Sequence, residues 1–510
     1  MRRRALELSP LVVLSLGVFA STTGEPSAPA AAIALAAPPA AAATPPAVAS
    51  LAPAPPPFQF TAALDEQVRA AYGVAPAIGV HVVELGTGEP VYAWSADEQR
   101  IIASNTKLFT TAAALDALGP GYLFETRLLA RGRVEDGVLA GDLGVVGGGD
   151  PSISGRGNGD PYAVFRAWAA ALRERGIARV EGDLLLDHGL FDDGVIHPDW
   201  PTGQLTSWYE APVAGLSFND NCVLVRVWPG GKGGQPRVEL VPPVPLFAVE
   251  NTARTVASSR RQFVHIGRRG DTLEIRGKIW YGSGPVETWV TVPDPVAYFG
   301  AAVRDALSRE GVELSGRLVP VERLPGPLWR RVAVHRSDLL EAVRVTNKRS
   351  QNFYAESLLK LLAAKRCRTG TWANGVREVG DFLSSIGVPR GGFTMTDGSG
   401  MSRGNRFTPR HVTTLLRHMY SHPAGAEFVQ SMPYGGEDMG SWKKRLADPP
   451  YAGNVYAKTG TLDGVSALSG YARALSGKTY AFSILCNQAR SAADARRAQD
   501  RIVMALVDNG

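Results

Sequence analysis

The sequence predicts an α+β fold: an antiparallel sheet drawn from both ends of the chain, flanked by helices and interrupted by a two-part strand-rich insertion. Three observations carry that expectation. From Ile78, the run GVHVVELGTGEPVYAWS has the pattern of a hairpin around Gly86-Thr87-Gly88. Near the other end, NVYAKTGTLDGVSALSGYARALSGKTYAFSILCN reads as three strands turning at Leu462-Asp463-Gly464 and Ser476-Gly477-Lys478, and SAADARRAQDRIVMALVDN as a closing helix. Between them, the stretch 129–326 is rich in strands, Gly and Pro, with few long helices.

The elements follow in order. MRRR, then LVVLSLGVFA, then STTGEPSA has the layout of a secretory signal, expected over residues 1–24. The alternative is a short hydrophobic tail. The apolar run is too short for a membrane span, so the mature chain is expected to be exported without a transmembrane anchor. Residues 25–58 are almost all Ala, Pro, Ser and Thr and read as an extended linker. A first part of the main domain is expected over 59–128. Its segment RIIASNTKLFTTAAALDALG (100–119) looks like a helix start closed by Gly119 and Pro120. A second domain is expected in two parts, 129–211 and 293–326, because FRAWAAALRERGIARVEGDLLLD (165–187) resembles FGAAVRDALSREGVELSGRLVPV (299–321). Each is a helix, a Gly-Ile or Gly-Val stop, and a strand. Residues 212–292 would be a third domain nested inside the second, and 327–510 would complete the main domain.

A chain of 510 residues is too long for one core. Its formal charge of +6 is too mild, and its aromatics too dispersed, to suggest a nucleic-acid partner. Cys222, Cys367 and Cys486 are isolated, with neither metal-type spacing nor the even count of a disulfide framework. No metal or organic cofactor is expected. There is no G-x-S-x-G elbow and no H-E-x-x-H, and the eight histidines are scattered.

Three Ser-x-x-Lys matches occur: Ser104–Lys107, Ser357–Lys360 and Ser441–Lys444. Only the first opens a helix behind a hairpin. On a helix, i and i+3 share a face, so hydroxyl and amine would lie side by side. The bland alternative is a serine cap with a surface lysine. Order and context favour chemistry: Ser104-x-x-Lys107, then Ser350-Gln351-Asn352 opening a helix, then Lys458-Thr459-Gly460 on a strand. Ser104 would attack a carbonyl and needs a base. Lys107 can serve if burial or a neighbouring charge keeps it neutral. Lys458 could supply that charge or hold a substrate carboxylate. Ser350 could pass a proton to a leaving amine, and Asn352 could fix the Lys107 amine or a substrate amide. Gly460 would let a ligand backbone run beside its strand. Backbone amides of Ser104 and Thr461 are the candidate oxyanion donors.

These motifs, with GDLGVVGGGDPSIS, LLLDHGLFDD, APVAGLSFNDNCV, KRSQNFYAESLL, TDGSGMSRGNRFTP and AKTGTLDGVSALSGY, resemble the low-molecular-mass penicillin-binding proteins of peptidase family S13. The likeness runs from about residue 60 to the C-terminus. It implies a penicillin-binding/β-lactamase-like catalytic domain and a D-alanyl-D-alanine carboxypeptidase/endopeptidase acting through an acyl-serine. Its partners would be peptidoglycan stem peptides and cross-links, with β-lactams as inhibitors, in the periplasm or at the cell wall. It also implies substrate contacts at Thr459, Gly460, Asp187, Arg403 and Asp463. Asp187 can equally be read as a turn residue, and Asp220, Asn221, Asp397 and Ser399 as structural turns. Gln351 departs from the usual aspartate of the second motif, and Asp463 is acidic where neutral residues are usual. The competing readings are a β-lactamase, which seldom needs so long an insertion, and a non-catalytic wall-binding protein, which would not need all three motifs.

Overall fold

The structure is a computed structural model and describes residues 57–156 and 159–510. The expected leader, and all but the end of the expected linker, lie outside the described residues. Ten helices occur among the described residues. They are α1 (Pro57–Tyr72), α2 (Thr106–Leu118), α3 (Ala163–Arg173), α4 (Pro295–Arg309) and α5 (Leu339–Lys348). Then come α6 (Asn352–Cys367), α7 (Trp372–Ser385), α8 (Pro409–Ser421), α9 (Gly425–Gln430) and α10 (Ala492–Asn509). The first helix therefore starts at Pro57, just inside the expected linker, whose limit of 58 was set by composition alone. Among the described residues no helix is long and apolar enough to cross a membrane.

Both chain ends build the first sheet. Its order is Val455–Leu462, Val465–Arg473, Thr479–Asn487, Ala77–Glu84, Pro90–Trp94, all antiparallel. Alternation along the strands sorts side chains to two faces. Tyr480, Phe482, Ile484 and Cys486 join the core under α1 and α10, where Phe60, Leu64 and Val68 recur at helical spacing. Ala481 and Leu485 face the opposite core with Leu108 and Phe109 of α2 and Leu415 and Leu416 of α8. The strand carrying Lys458-Thr459-Gly460 is left at the sheet edge.

A seven-stranded sheet follows, and the two similar segments meet in it. Leu184–Asp187 runs parallel to Leu318–Val321 with Leu184 opposite Leu318. The equivalent rings Phe165 of α3 and Phe299 of α4 sit edge-on, centroids 5.1 Å apart. The sheet reaches past the boundaries expected at 128/129 and 326/327. Leu123–Glu135 is one strand, burying Phe124, Thr126, Leu128 and Ala130 in unbroken alternation, and Arg330–Asp338 pairs along it. No break in pattern marks the limit at 128/129, which lies inside that strand, whereas 326/327 falls in the loop between Leu318–Val321 and Arg330–Asp338. Residues Cys222–Thr291 form two smaller sheets around Val223, Val225, Val227, Leu273, Ile275 and Ile279.

Candidate active site

The chain approaches α2 through a constrained turn. Ala103 is in the left-handed region at φ 46°, followed by a single 3-10 turn, Ala103–Asn105. Such backbone is costly outside glycine and concentrates at functional sites. Ser104 sits on this turn at the N-terminal end of α2, while Lys107, one turn on, is wholly buried. Lys107 Nζ lies 3.0 Å from Ser104 Oγ, 2.7 Å from Asn352 Oδ1 and 2.6 Å from the Ser399 carbonyl. Amine and hydroxyl are therefore neighbours, and the surface-lysine alternative is excluded.

The second motif arrives from between α5 and α6. Ser350 is also left-handed, at φ 55°, and Gln351 stands at the N-cap position of α6 with its side chain turned elsewhere. Gln351 donates to Asp220 Oδ2 at 2.9 Å, and Arg156 donates to the same carboxylate. The amide of Asn352 is fixed at both ends, its Nδ2 donating to the Tyr209 carbonyl at 2.7 Å. Lys458 Nζ, from the edge strand, donates to Ser350 Oγ at 2.8 Å. Asn105 Nδ2 donates to the Lys458 carbonyl at 2.8 Å and ties the strand to the Ser104 turn.

Burial sets the electrostatics. It pulls Lys107 down to about 7, against the opposing pull of Asp397 and Glu356. It also holds Lys458 well below the ordinary lysine value, with repulsion from Lys107 adding to the effect. Two buried amines side by side do not readily carry two protons at neutral pH. The Ser357–Lys360 pair is built differently. Ser357 Oγ donates back to the Phe353 carbonyl within α6, and Lys360 Nζ is bound to Asp192 at 2.7 Å and the Gly194 carbonyl at 2.6 Å.

Residues 61–508 match the D-Ala-D-Ala carboxypeptidase 3 (S13) family. The chain belongs to that family. A D-alanyl-D-alanine carboxypeptidase of Actinomadura sp. is 33% identical over 452 residues, covering 84% of this chain and 81% of its own. The D-alanyl-D-alanine carboxypeptidase DacB of Haemophilus influenzae is 28% identical over 387 residues, covering 74% and 79%. In fold, this S13 chain resembles the crystal structure of penicillin binding protein 4 from Haemophilus influenzae, with a TM-score of 0.75 at 24% identity over 86% of this chain and 98% of that one.

The substrate residues implied by family likeness are placed unevenly in this S13 chain. Arg403 and the Asp463 turn meet, Arg403 Nη1 donating to the Asp463 carbonyl at 2.9 Å. Asp187 instead ends a strand of the seven-stranded sheet, and its oxygens accept the Gly189 amide at 3.4 Å and the Leu324 amide at 3.0 Å. Burial raises its pKa. That is the turn role open to it from sequence. Glu356 and the carbonyls of Ser399 and Tyr209 were not singled out by sequence for the lysine and asparagine they serve. Only Glu356 carried a usable signal, four residues after Asn352 and so on the same helix face.

Gly460 differs from expectation in what fills its bare side. A Cβ there would lie 2.6 Å from the Ile102 carbonyl oxygen and 3.0 Å from the Ser104 nitrogen. The space is taken by the chain's own nucleophile turn rather than reserved for a ligand. Both neighbours are backbone, so Gly460→Ala must push the edge strand off that turn. We expect a loss of about 1–3 kcal/mol of stability, read as a lower Tm, together with slower acylation by penicillin.

Among the described residues, Asp116, His418 and His422 could together face a cation. The Ala424 amide donates to His422 Nδ1 at 3.1 Å, which leaves the proton on Nε2, the nitrogen 3.5 Å from Asp116. The three side chains supply no group to the Ser104 cluster.

Proposed function

We propose that this D-Ala-D-Ala carboxypeptidase cleaves peptidoglycan stem peptides through an acyl enzyme on Ser104, and that the 3.0 Å contact between Lys107 Nζ and Ser104 Oγ carries the reading. Neutral Lys107 takes the hydroxyl proton as Oγ bonds to the carbonyl carbon of the penultimate D-Ala. The carbonyl oxygen, now an oxyanion, accepts from the backbone amides of Ser104 and Thr461, each worth roughly 3–4 kcal/mol of barrier. The nearness of the Gly460 position to the Ser104 nitrogen supports that pairing. As the carbon–nitrogen bond breaks, the proton passes from Lys107 through Ser350 to the leaving amine of the terminal D-Ala. Water then attacks the ester, giving up a proton by the reverse route, and Ser104 is restored.

Lys458 holds the substrate's terminal carboxylate, with Thr459 beside it on the edge strand. An incoming carboxylate stabilises charge at Lys458, so of the two amines Lys107 is left neutral. Arg403 and Asp463 offer opposite charges to the ammonium and carboxylate of a diaminopimelate-type side chain. The same subsite would admit cross-links, giving endopeptidase action. The site lies in a catalytic domain split around a second domain and a nested third. The chain works outside the cytoplasm, at the cell wall where its substrate is.

The test is the intact mass of the purified chain after mixing with benzylpenicillin, followed over hours, with peptide mapping of the adduct. A stoichiometric, slowly decaying adduct on Ser104 is expected. Rapid drug loss without a lasting adduct would turn the reading to a β-lactamase. Neither drug loss nor adduct, in folded protein, would leave a wall-binding protein.

A further inference from the structure

Four residues beyond Asn352, on the same face of α6, Glu356 is wholly buried beneath the site. Its Oε1 accepts the Ser399 amide at 2.7 Å, and its Oε2 accepts the Gly398 amide and the Trp372 indole, each at 2.9 Å. The carbonyls of the same two loop residues point the other way, into α2. The Gly398 carbonyl accepts from Thr110 Oγ1 at 2.7 Å, and the Ser399 carbonyl accepts from Lys107 Nζ at 2.6 Å. One tight turn thus links a buried carboxylate to the amine of the proposed base.

Asp397 anchors the turn from its far side. It accepts the Gly400 amide at 2.8 Å, the Ser402 amide at 2.6 Å, Asn405 Nδ2 at 2.7 Å and the Trp200 indole at 3.1 Å. Gly400 itself is at φ 82°, and any Cβ there would collide with the Ala103 carbonyl beside Ser104. The loop is wedged against the nucleophile turn and has no slack.

We propose that Glu356 is a positioning residue for the base: through the Gly398–Ser399 turn it holds the Ser399 carbonyl on Lys107 Nζ, and its charge favours the ammonium that forms when Lys107 takes the Ser104 proton. The inference rests on the acyl-serine reading above. Three N–H donors converge on Glu356, and a hydrogen bond from the Ser399 side chain also favours its charged form, so the arrangement suits an acceptor-only carboxylate. Burial and the adjacent Asp397 raise its pKa, so these contacts keep a charge where it is costly. The ionisable groups around it are Asp397 across the turn, Lys360 on its own helix, and Lys107 on α2. Lys107 in turn faces Asp397, Glu356 and Lys458.

The test compares Glu356→Gln with wild type, using hydrolysis of a peptide ending in D-Ala-D-Ala across pH and penicillin adduct formation. The amide keeps one acceptor and sets its NH2 against a donor, so the turn loosens while the volume stays. We expect kcat to fall by about 10- to 100-fold with KM within about twofold. The acid limb of the kcat profile should also move to lower pH, because removing a negative neighbour lowers the pKa of Lys107. A purely structural role would not move that limb. In a folded variant, wild-type kcat or an unmoved acid limb overturns the inference. Should Glu356→Gln not fold, Thr110→Val cuts the same turn from α2 without removing a charge. A lowered kcat with KM within about twofold and Tm near wild type supports the inference, and wild-type kcat, or a loss that follows KM or Tm, overturns it. A wild-type chain that forms no adduct on Ser104 overturns the acyl-serine reading and this inference with it, whereas a normal wild-type adduct confines any failure to Glu356.

Discussion

Lys107→Met should reduce acylation by penicillin and turnover of D-Ala-D-Ala peptides by about 10²- to 10⁴-fold, the range of a lost general base. Methionine matches the length of the buried stem, and the site is built to take an uncharged chain, since Lys107 is held down to about 7 by burial. The fold should therefore persist, with Tm near wild type or above it. Three acceptors lose their donor: Ser104 Oγ, Asn352 Oδ1 and the Ser399 carbonyl. Unmet acceptors cost stability, while relief of a buried amine returns some. In the wild type, the rate should rise with pH through about 7 as Lys107 sheds its proton. That rise should be absent in Lys107→Met. Stopped-flow acylation over pH 5–9, read with intact mass, measures both, and a variant that still acylates at the wild-type rate would remove Lys107 from the chemistry.

How much of this could be read in the sequence depends on whether a feature is local. The hairpin and the closing meander are local, because alternation and Gly-centred turns mark each strand, and the sheet they share followed from that. The Ser104–Lys107 pair is local as well, being one helical turn. The limits 128/129 and 326/327 are different, since a strand's partner cannot be seen in its own alternation. Leu123–Glu135 looks the same whether it pairs with Arg330–Asp338 or with neither. Lys107's acceptors show the same limit. Ser399 contributes a carbonyl, which every residue has, so only the fold could single it out. Glu356 is hidden for a related reason, because its partners are backbone amides from a loop about 40 residues further on. Asp187 shows the reverse case, an acidic residue conspicuous in sequence whose contacts are those of a turn.

Lys458→Met should be the second large effect, about 10- to 100-fold in kcat/KM, the worth of one charge-assisted contact to a carboxylate. It should also move the acid limb, and in the opposite direction to Glu356→Gln. The reasoning is electrostatic. With a substrate carboxylate bound, Lys458 carries its charge beside Lys107, so its loss makes the Lys107 ammonium easier to keep, and the pH at which the base becomes neutral rises. Two substitutions in one buried cluster, one removing a positive and one a negative charge, should bracket the wild-type limb from either side. Neither a change in folding nor one in substrate affinity produces that opposition, since both would move the two variants the same way or leave the limb in place. Loss of Lys458 also frees Ser350 Oγ, whose 2.8 Å contact to the amine fixes the hydroxyl for proton delivery. A fall in kcat beyond the rise in KM would report that second part. If the Lys458→Met limb instead stayed in place, Lys458 would not be acting on Lys107 as a charge, and the base would owe its neutrality to burial alone.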